Sequence, residues 1–150
     1  MTQDARVGLR GKPFEMPVEL GKVREFARAV MAEVPPATES AAISHATFLV
    51  TQAFWSDDDM VSLLGFDLDR LLHAEQEFIF EGPPPSAGSR LYGQSSVTDV
   101  YEKTGRRGGT MNFAVVTTEF RDASGRLVAT SRSTGVETGQ PAANTAESPA

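Results

Sequence analysis

The chain contains no cysteine among its 150 residues, and it has only two histidines and one tryptophan. Without cysteine it can form no disulfide and no thiolate nucleophile, and it cannot bind a metal through sulfur. Two histidines are too few for a metal site built from imidazoles alone. We therefore expect no metal site, no redox role and no cofactor.

Basic residues and long apolar runs are also scarce. Fourteen lysines and arginines stand against twenty acidic residues, which gives a formal charge of −6. Such a surface repels the phosphate backbone, so we expect no nucleic-acid partner. No uncharged apolar run approaches the ~20 residues that cross a bilayer, and the N-terminus shows no apolar core of signal-peptide length. These features predict a cytoplasmic protein without a membrane partner.

The length fits one domain with one sizeable core. Residues 1–11 carry no clear pattern, and residues 139–150 are small, polar and proline-bearing. Neither stretch offers large apolar side chains that would anchor it. We predict disorder at both ends and a folded domain over residues 12–138.

The N-terminal half predicts a short edge strand followed by helices. Residues 13–20 alternate and contain two prolines, as edge strands do. Over residues 21–32 apolar side chains recur at three- and four-residue spacing and predict one buried helical face, formed by Val23, Phe26, Ala27, Val30 and Met31. Residues 45–55 are predicted to be mostly helical or irregular. Residues 37–44 are predicted to be a loop.

A second helix is predicted around Met60–Leu64, with Gly65 as its end. Ser56 is the predicted N-cap, and residues 57–59 are three aspartates that favour the positive end of the helix dipole. Consecutive carboxylates point in different directions, so we interpret them as capping charges rather than as a metal cluster.

The C-terminal half carries four strand-like segments, at residues 71–82, 90–103, 110–121 and 126–138. In the first, Phe78 and Phe80 share a face with Gln76, whereas the glutamates and His73 share the other. The third segment is apolar on both faces, which suits the middle of a sheet. Residues 122–125 (DASG) predict a tight hairpin, 104–109 (TGRRGG) a looser one, and 82–88 (GPPPSAG) a connecting loop.

The chain resembles the MaoC-like dehydratases, specifically their N-terminal, fatty-acid-synthase-like branch of the hot-dog superfamily. The matching stretches are GKVREFARAV, TFL, LLHAEQEF, SVTDVYEKTGRRGGTMNFAVVTTEF and DASGRLVATSRST. The resemblance implies an α+β hot-dog fold, in which a five-stranded antiparallel sheet wraps around a central helix. It also implies a dimer that binds an acyl-CoA or acyl-carrier thioester along the subunit interface.

Active members of that family are similar in having an aspartate, then asparagine-proline, then a histidine soon after the first helix. Here residues 31–40 read MAEVPPATES, which offers Glu33 and no histidine, and the next histidine is His45. Addition of water across an enoyl thioester needs a base and an acid. The resemblance therefore implies a catalytically incomplete subunit of an enoyl-thioester hydratase or 3-hydroxyacyl dehydratase, active with a second hot-dog subunit.

Two other functions stay open at this stage. A self-sufficient homodimeric thioesterase or hydratase could use Glu33, His45 or His73 in nonstandard positions. A non-catalytic module could bind an acyl chain or lipid and sequester it. Each histidine also has an ordinary structural interpretation, His73 as a cross-sheet hydrogen-bonding residue and His45 as part of a loop or helix start.

Aromatic and basic side chains supply the candidate binding residues. Phe48, Phe54 and Trp55 could wall an acyl pocket, although packing against the sheet is the more common role of such residues. Arg106 and Arg107 could bind the phosphates of coenzyme A or the acidic surface of a carrier. Arginines in an exposed turn are more often simply solvated.

Overall fold

Five antiparallel strands form a single sheet in the order β1-β3-β4-β5-β2. The structure is a computed structural model that describes residues 4–57, 59–105 and 109–139. The two-sided apolar segment is β4, which occupies the centre of the sheet as predicted. The strands are β1 (Phe14–Pro17), β2 (Leu71–Phe80), β3 (Arg90–Thr104), β4 (Thr110–Arg121) and β5 (Leu127–Glu137). The predicted five-stranded antiparallel sheet is confirmed.

Helical segments fill the chain between β1 and β2. They are α1 (Leu20–Ala29), a 3₁₀ helix (Phe48–Phe54), α2 (Met60–Leu64) and a second 3₁₀ helix (Leu68–Arg70). None of the helices in the described part of the chain is long and apolar enough to cross a bilayer. The 3₁₀ helix at 48–54 agrees with the helical or irregular conformation predicted there.

Helix α1 is shorter than its apolar pattern predicts. Val23 and Ala27 are buried and Phe26 is partly buried, but Val30 is 38% and Met31 94% exposed. Met31 has a left-handed backbone (φ 56°), and its N–H donates to the Arg28 carbonyl. The chain therefore turns away at the end of the helix, and the prediction that Val30 and Met31 belong to the buried face is wrong.

The cap of α2 also differs from the prediction. Asp59, rather than Ser56, is the N-cap residue, and its carboxylate accepts hydrogen bonds from the N–H (3.0 Å) and the hydroxyl of Ser62. These donors lower the pKa of Asp59, with the Ser62 hydroxyl the larger cause. Gly65 ends the helix in a left-handed conformation (φ 68°), as predicted.

One end of the inner sheet face is densely packed, and we call it the packed end. Side chains from β1, α1 and the 3₁₀ helix meet those of β3, β4 and β5, and several are completely buried. The cluster consists of Met16, Val18, Val23, Phe48, Leu49, Ala87, Leu91, Phe120 and Ala129. It is the larger part of the hydrophobic core.

At the opposite end, which we call the hollow end, a smaller cluster forms from Leu64, Phe66, Val97 and Ala114. Leu9 packs against this cluster from the N-terminal segment. The N–H groups of Gly8 and Gly11 donate to the carbonyls of Val97 and Ser95 on β3, both at 2.9 Å. The predicted disorder of residues 1–11 is therefore wrong for residues 4–11, because this polar-looking segment pairs with an edge of the sheet.

The predicted turns are present in the sheet. Asp122 accepts from the N–H groups of Ser124 and Arg126, and Gly125 has φ 85°. Residues 82–88 form the predicted connection between β2 and β3. The ends of β3 and β4 pair through Thr104 and Thr110, so the looser hairpin is confirmed at its base. The predictions for residues 106–108 and for the tail from 140 onwards lie outside the described residues.

Candidate functional site

A cavity of about 350 Å³ lies at the hollow end, between the inner face of the sheet and a cover formed by residues 52–56 and 60–66. Its volume falls in the range of small-molecule sites. The sheet contributes Ser95, Ala114, Val116, Thr118, Ser133 and Gly135, the cover contributes Gln52, Ala53, Ser56, Met60, Val61, Leu64 and Phe66, and β2 contributes Leu71, Leu72 and His73. Most of these side chains are apolar.

A belt of polar side chains crosses the inner face beside the cavity. Ser95 Oγ and Thr118 Oγ1 lie 2.8 Å apart and are hydrogen-bonded, and Gln76 Nε2 donates to Ser131 Oγ at 2.7 Å. Gln52 Oε1 is buried and has no hydrogen-bond partner in the described part of the chain. The cavity thus combines apolar walls with an unused hydrogen-bonding group, as ligand sites commonly do.

His73 lines this cavity because β2 contains a bulge. The register of β2 against β5 shifts between His73 and Glu75, and His73 pairs with Gly135, another cavity residue. Perfect alternation would have placed His73 on the same face as Glu75 and Glu77, so that prediction is wrong. His73 is exposed, and its ring makes no hydrogen bond to another described residue.

Glu33 and His45 lie outside the cavity lining. Both are exposed, and His45 is held at the start of the 3₁₀ helix, where Nδ1 lies 2.9 Å from Thr47 Oγ1 and the His45 carbonyl accepts from the Phe48 N–H. Within residues 4–57, 59–105 and 109–139 no hydrogen bond or ion pair joins Glu33 to either histidine. The structure does not assemble these three side chains into one catalytic group.

The three aromatic candidates have different environments. Phe48 is 1% exposed and belongs to the packed end, and Trp55 packs partly buried against the same cluster. Phe54 is 73% exposed, with Lys22 Nζ 5.0 Å from the centre of its ring. None of the three lines the cavity. Phe48 and Trp55 have the core role that such residues more commonly play.

Arg106 and Arg107, the candidate phosphate-binding residues, lie outside the described residues. Asp58, the middle aspartate, does so as well. Among the residues that the structure does describe, no three His, Asp or Glu side chains come together in a way that could hold a metal ion.

Polar contacts hold the cover of the cavity to the sheet. The Glu137 carboxylate, 9% exposed, accepts from the Asp67 N–H (2.8 Å), Arg70 Nη2 (2.9 Å) and Asn112 Nδ2 (3.1 Å). The Asp67 N–H is the largest cause that lowers the pKa of Glu137, followed by Asn112 and then by the charge of Arg70. A buried carboxylate thus ties the segment before β2 to the ends of β4 and β5.

A second polar clamp comes from the N-terminal segment. Arg6 Nη1 donates to the Leu64 carbonyl at 3.3 Å, and its guanidinium lies 5.6 Å from the centre of the Phe66 ring. Asp4 pairs with Arg6 at 2.8 Å, and the hydrogen bonds from Arg6 lower the pKa of Asp4 to about 2. The segment therefore holds α2 and the residues after it over the cavity.

Sequence reasoning did not find the polar belt or Gln52. A signal was present, since Ser95, Thr118, Ser131 and Ser133 interrupt the apolar face in the middle of three strands. Small hydroxyl residues at core-facing positions need hydrogen-bond partners or a polar ligand. The contribution of Gln52 had no such signal, because it depends on the conformation of the 3₁₀ helix.

Comparison with known proteins decides the family. The model of the FAS1-like dehydratase domain region matches residues 5–131. The chain belongs to this family. It is also 33% identical over 139 residues to a UPF0336 protein of Saccharopolyspora erythraea, an alignment that covers 85% of this chain and 82% of the relative. The predicted relationship to MaoC-like dehydratases of the hot-dog superfamily is confirmed.

Solved structures show the same hot-dog fold. The C-terminally truncated HadBC complex, a 3R-hydroxyacyl-ACP dehydratase of Mycobacterium tuberculosis, has a chain of 23% identity with a TM-score of 0.69 over 90% of this chain and 99% of that one. A MaoC-like dehydratase is 26% identical with a TM-score of 0.71, over 89% of this chain and 42% of its own length. The (R)-hydratase of A. caviae involved in PHA biosynthesis is 20% identical, with a TM-score of 0.56 over 89% of this chain and 98% of that one.

Proposed function

We propose that this chain is a subunit of an enoyl-thioester hydratase, or 3-hydroxyacyl dehydratase, that supplies part of the acyl-binding wall. A second hot-dog subunit supplies the groups that activate water. The substrate is an acyl-CoA or an acyl-carrier thioester.

The observation that carries this proposal is the composition of the cavity lining. It has mainly apolar walls that suit a hydrocarbon chain, and among the described residues that line it His73 is the one titratable side chain. Hydration of an enoyl thioester requires a base that takes a proton from water and an acid that delivers one to Cα. A lining whose described residues offer one imidazole and no carboxylate can bind the substrate but supplies only half of that acid–base pair.

The comparisons support the class of reaction and the need for a partner. The HadBC structure is described as a dehydratase complex, and a chain of the ChsH1-ChsH2 complex of Mycobacterium tuberculosis shares the fold, with a TM-score of 0.62 over 93% of this chain and 90% of that one. In this chain β2 is a ten-residue edge strand, and its residues Leu71, Leu72 and His73 wall the cavity. A subunit that pairs with β2 would complete the site at that wall.

Within the proposal, His73 is the described lining residue whose side chain can act as an acid or a base. Glu33 and His45 lie outside the cavity lining, so they remain catalytic candidates only if a bound partner subunit brings them close to the substrate. Arg106 and Arg107 remain candidates for the phosphates of coenzyme A or for the surface of a carrier protein. Replacement of both arginines by alanine would raise the KM for the thioester and leave kcat unchanged if they act only in binding.

The proposal is tested by co-expression of the chain with hot-dog subunits that carry a complete Asp/His pair, followed by a hydration assay with crotonyl-CoA and longer enoyl-CoA substrates. We expect turnover by the pair and none by the lone chain. Ala114→Leu, which fills the cavity, should raise the KM for longer acyl chains, whereas Ala123→Leu in the exposed hairpin should not.

Other outcomes would contradict the proposal. Hydration by the lone chain as fast as by the pair would identify a self-sufficient hydratase, and thioester hydrolysis by the lone chain would identify a thioesterase. A copurified acyl ligand without turnover in any pairing would identify a sequestering module.

A further inference from the structure

The charged side chains of β2 influence which strand of another subunit can pair with it. β2 lies at the edge of the sheet, and within the described part of the chain it is hydrogen-bonded to no strand except β5. Its other side therefore presents N–H and C=O groups that no described strand pairs with. The opposite edge is different, because β1 and residues 8–11 cover much of β3. An exposed ten-residue edge strand is a template for another strand. β2 is therefore the larger free edge in the described residues.

The outer face of this strand carries acidic side chains. Glu75, Glu77 and Ile79 alternate there and are exposed, and Glu81 follows directly after the strand. Arg132 Nη1 on β5 lies 3.2 Å from Glu77 and partly offsets its charge. Glu75 and Glu81 have no side-chain partner in the described part of the chain. The strand thus offers two uncompensated carboxylates on one side.

Geometry determines what two copies of β2 would place opposite each other. In an antiparallel pair, directly opposed side chains share a face, so a twofold axis must pass through a residue position. An axis at position 75 or 77 sets a glutamate against its own copy, and an axis at 76 sets Glu75 against Glu77 twice. An axis at 78 or 79 sets Glu81 against Glu75 or Glu77. Every twofold axis placed at residues 75–79, in the regular part of β2 after the bulge, therefore opposes like charges. An axis at 74 would set Glu75 against His73, but the bulge places these two side chains on opposite faces of the strand, so that register does not fit an antiparallel pair.

We infer that the glutamates of β2 disfavour self-pairing and select a non-identical chain whose edge strand presents lysine or arginine opposite Glu75 and Glu77. Like charges directly opposite each other across a strand pair are destabilising, and opposite charges are stabilising. The chain's net charge of −6 adds to the repulsion between two copies. The inference has a repulsive half, that two copies of β2 repel each other, and an attractive half, that a basic partner strand is favoured. The attractive half rests on the proposed function because it requires a partner, whereas the repulsive half concerns this chain alone.

Self-association of the purified lone chain tests the repulsive half. By analytical ultracentrifugation, Glu75→Gln with Glu77→Gln should tighten self-association by about ten-fold, because each opposed pair contributes up to about 1 kcal/mol. An increase from about 0.02 M to about 0.5 M salt should tighten self-association of the wild-type chain more than that of the double variant, because salt screens repulsion between exposed charges.

The matched control is Glu102→Gln with Glu119→Gln, which removes the same charge away from β2. Glu102 is exposed and, like Glu75, forms no hydrogen bond or ion pair through its side chain with another described residue. Glu119 is exposed and paired with Arg121 at 2.8 Å, as Glu77 is with Arg132 at 3.2 Å. Self-association that is unchanged in the β2 variant, or equally tightened in the control, overturns the inference. Circular dichroism of both variants verifies that the fold is intact.

Association with a partner that restores hydration tests the attractive half. Glu75→Lys with Glu77→Lys should weaken that association by about ten-fold or more, because cations would then face cations. Undiminished association overturns the charge selection while the proposed function stands. Conversely, if no partner restores turnover but the glutamine variant self-associates, the proposed function fails and the repulsion at β2 stands.

Discussion

The packed end and the hollow end of the inner sheet face are covered in different ways. At the packed end α1 and the 3₁₀ helix bury Val23, Phe48 and Leu49 against Phe120, and all four are at most 2% exposed. At the hollow end the cover contains a five-residue helix and encloses a cavity of about 350 Å³. There the cover is held by the carboxylate of Glu137 and the guanidinium of Arg6 rather than by close packing.

The difference separates stability from binding in one small domain. Close packing at one end supplies hydrophobic stabilisation that does not depend on a ligand. Polar clamps at the other end hold the cover in place while the space beneath it stays open. We therefore expect variants at the packed end to change stability, and variants at the hollow end to change binding and pH dependence.

The largest effect is expected from Phe48→Ala at the packed end. Loss of this ring should lower the free energy of unfolding by about 3–5 kcal/mol, from lost transfer energy and the cavity left behind. Phe54→Ala, at a residue of the same type that is 73% exposed, should cost less than about 1 kcal/mol. Urea denaturation of both variants measures this, and equal losses would contradict the assignment of Phe48 to the core.

Glu137→Gln should have the next largest effect, about 2 kcal/mol near neutral pH, because donors buried around the carboxylate lose a charged acceptor. The folded protein lowers the pKa of Glu137 below its ordinary value of 4.5, so the stabilisation is present above that value and is lost as the pH falls through the folded pKa. The difference in urea midpoint between the wild type and the variant should therefore be smaller at about pH 3 than at about pH 7. A gap that does not change with pH would show that ionisation of Glu137 contributes nothing.

Replacement of one buried alanine by leucine at each end tests the difference in packing between the packed end and the hollow end. Ala129 and Ala114 are each 1% exposed, the first at the packed end and the second lining the cavity. Ala129→Leu should cost about 1–3 kcal/mol through overpacking, whereas Ala114→Leu should cost less than about 1 kcal/mol because the cavity accepts the added atoms. Thermal unfolding of the two variants decides this, and a reversed order would mean that the cavity closes in solution.

The smallest effect is expected from Asp59→Ala, which removes the N-cap of α2. The amide N–H of Ser62 then loses its acceptor, and the helix frays. Amides of α2 should exchange with solvent faster by hydrogen-exchange mass spectrometry, while those of β4 at the packed end keep their protection. Ser56→Ala is the control, and faster exchange of α2 in that variant alone would restore the original assignment of the cap.

Most of the fold was predictable because local patterns and tertiary packing agree. Alternation located β2 and β5, the two-sided apolar character of β4 predicted its central position, and Asp122 with Gly125 predicted a tight turn. Prediction failed where contacts distant in sequence decide the conformation. Residues 4–11 lack an apolar pattern, but their backbone groups pair with β3. His73 changes face because of a bulge, which alternation alone does not reveal.

The sequence by itself determined the fold class, the family resemblance and the absence of an aspartate/histidine pair after α1, because these depend on residue identity and short-range periodicity. Tertiary structure alone decided where the cavity lies, that His73 lines it, and that Gln52 Oε1 lies beside a belt of hydroxyls without a partner among the described residues. These features depend on strand register and on how the cover is clamped to the sheet. Register and clamping are set by interactions between residues far apart in the chain, such as Glu137 with Asp67 and Arg6 with Leu64.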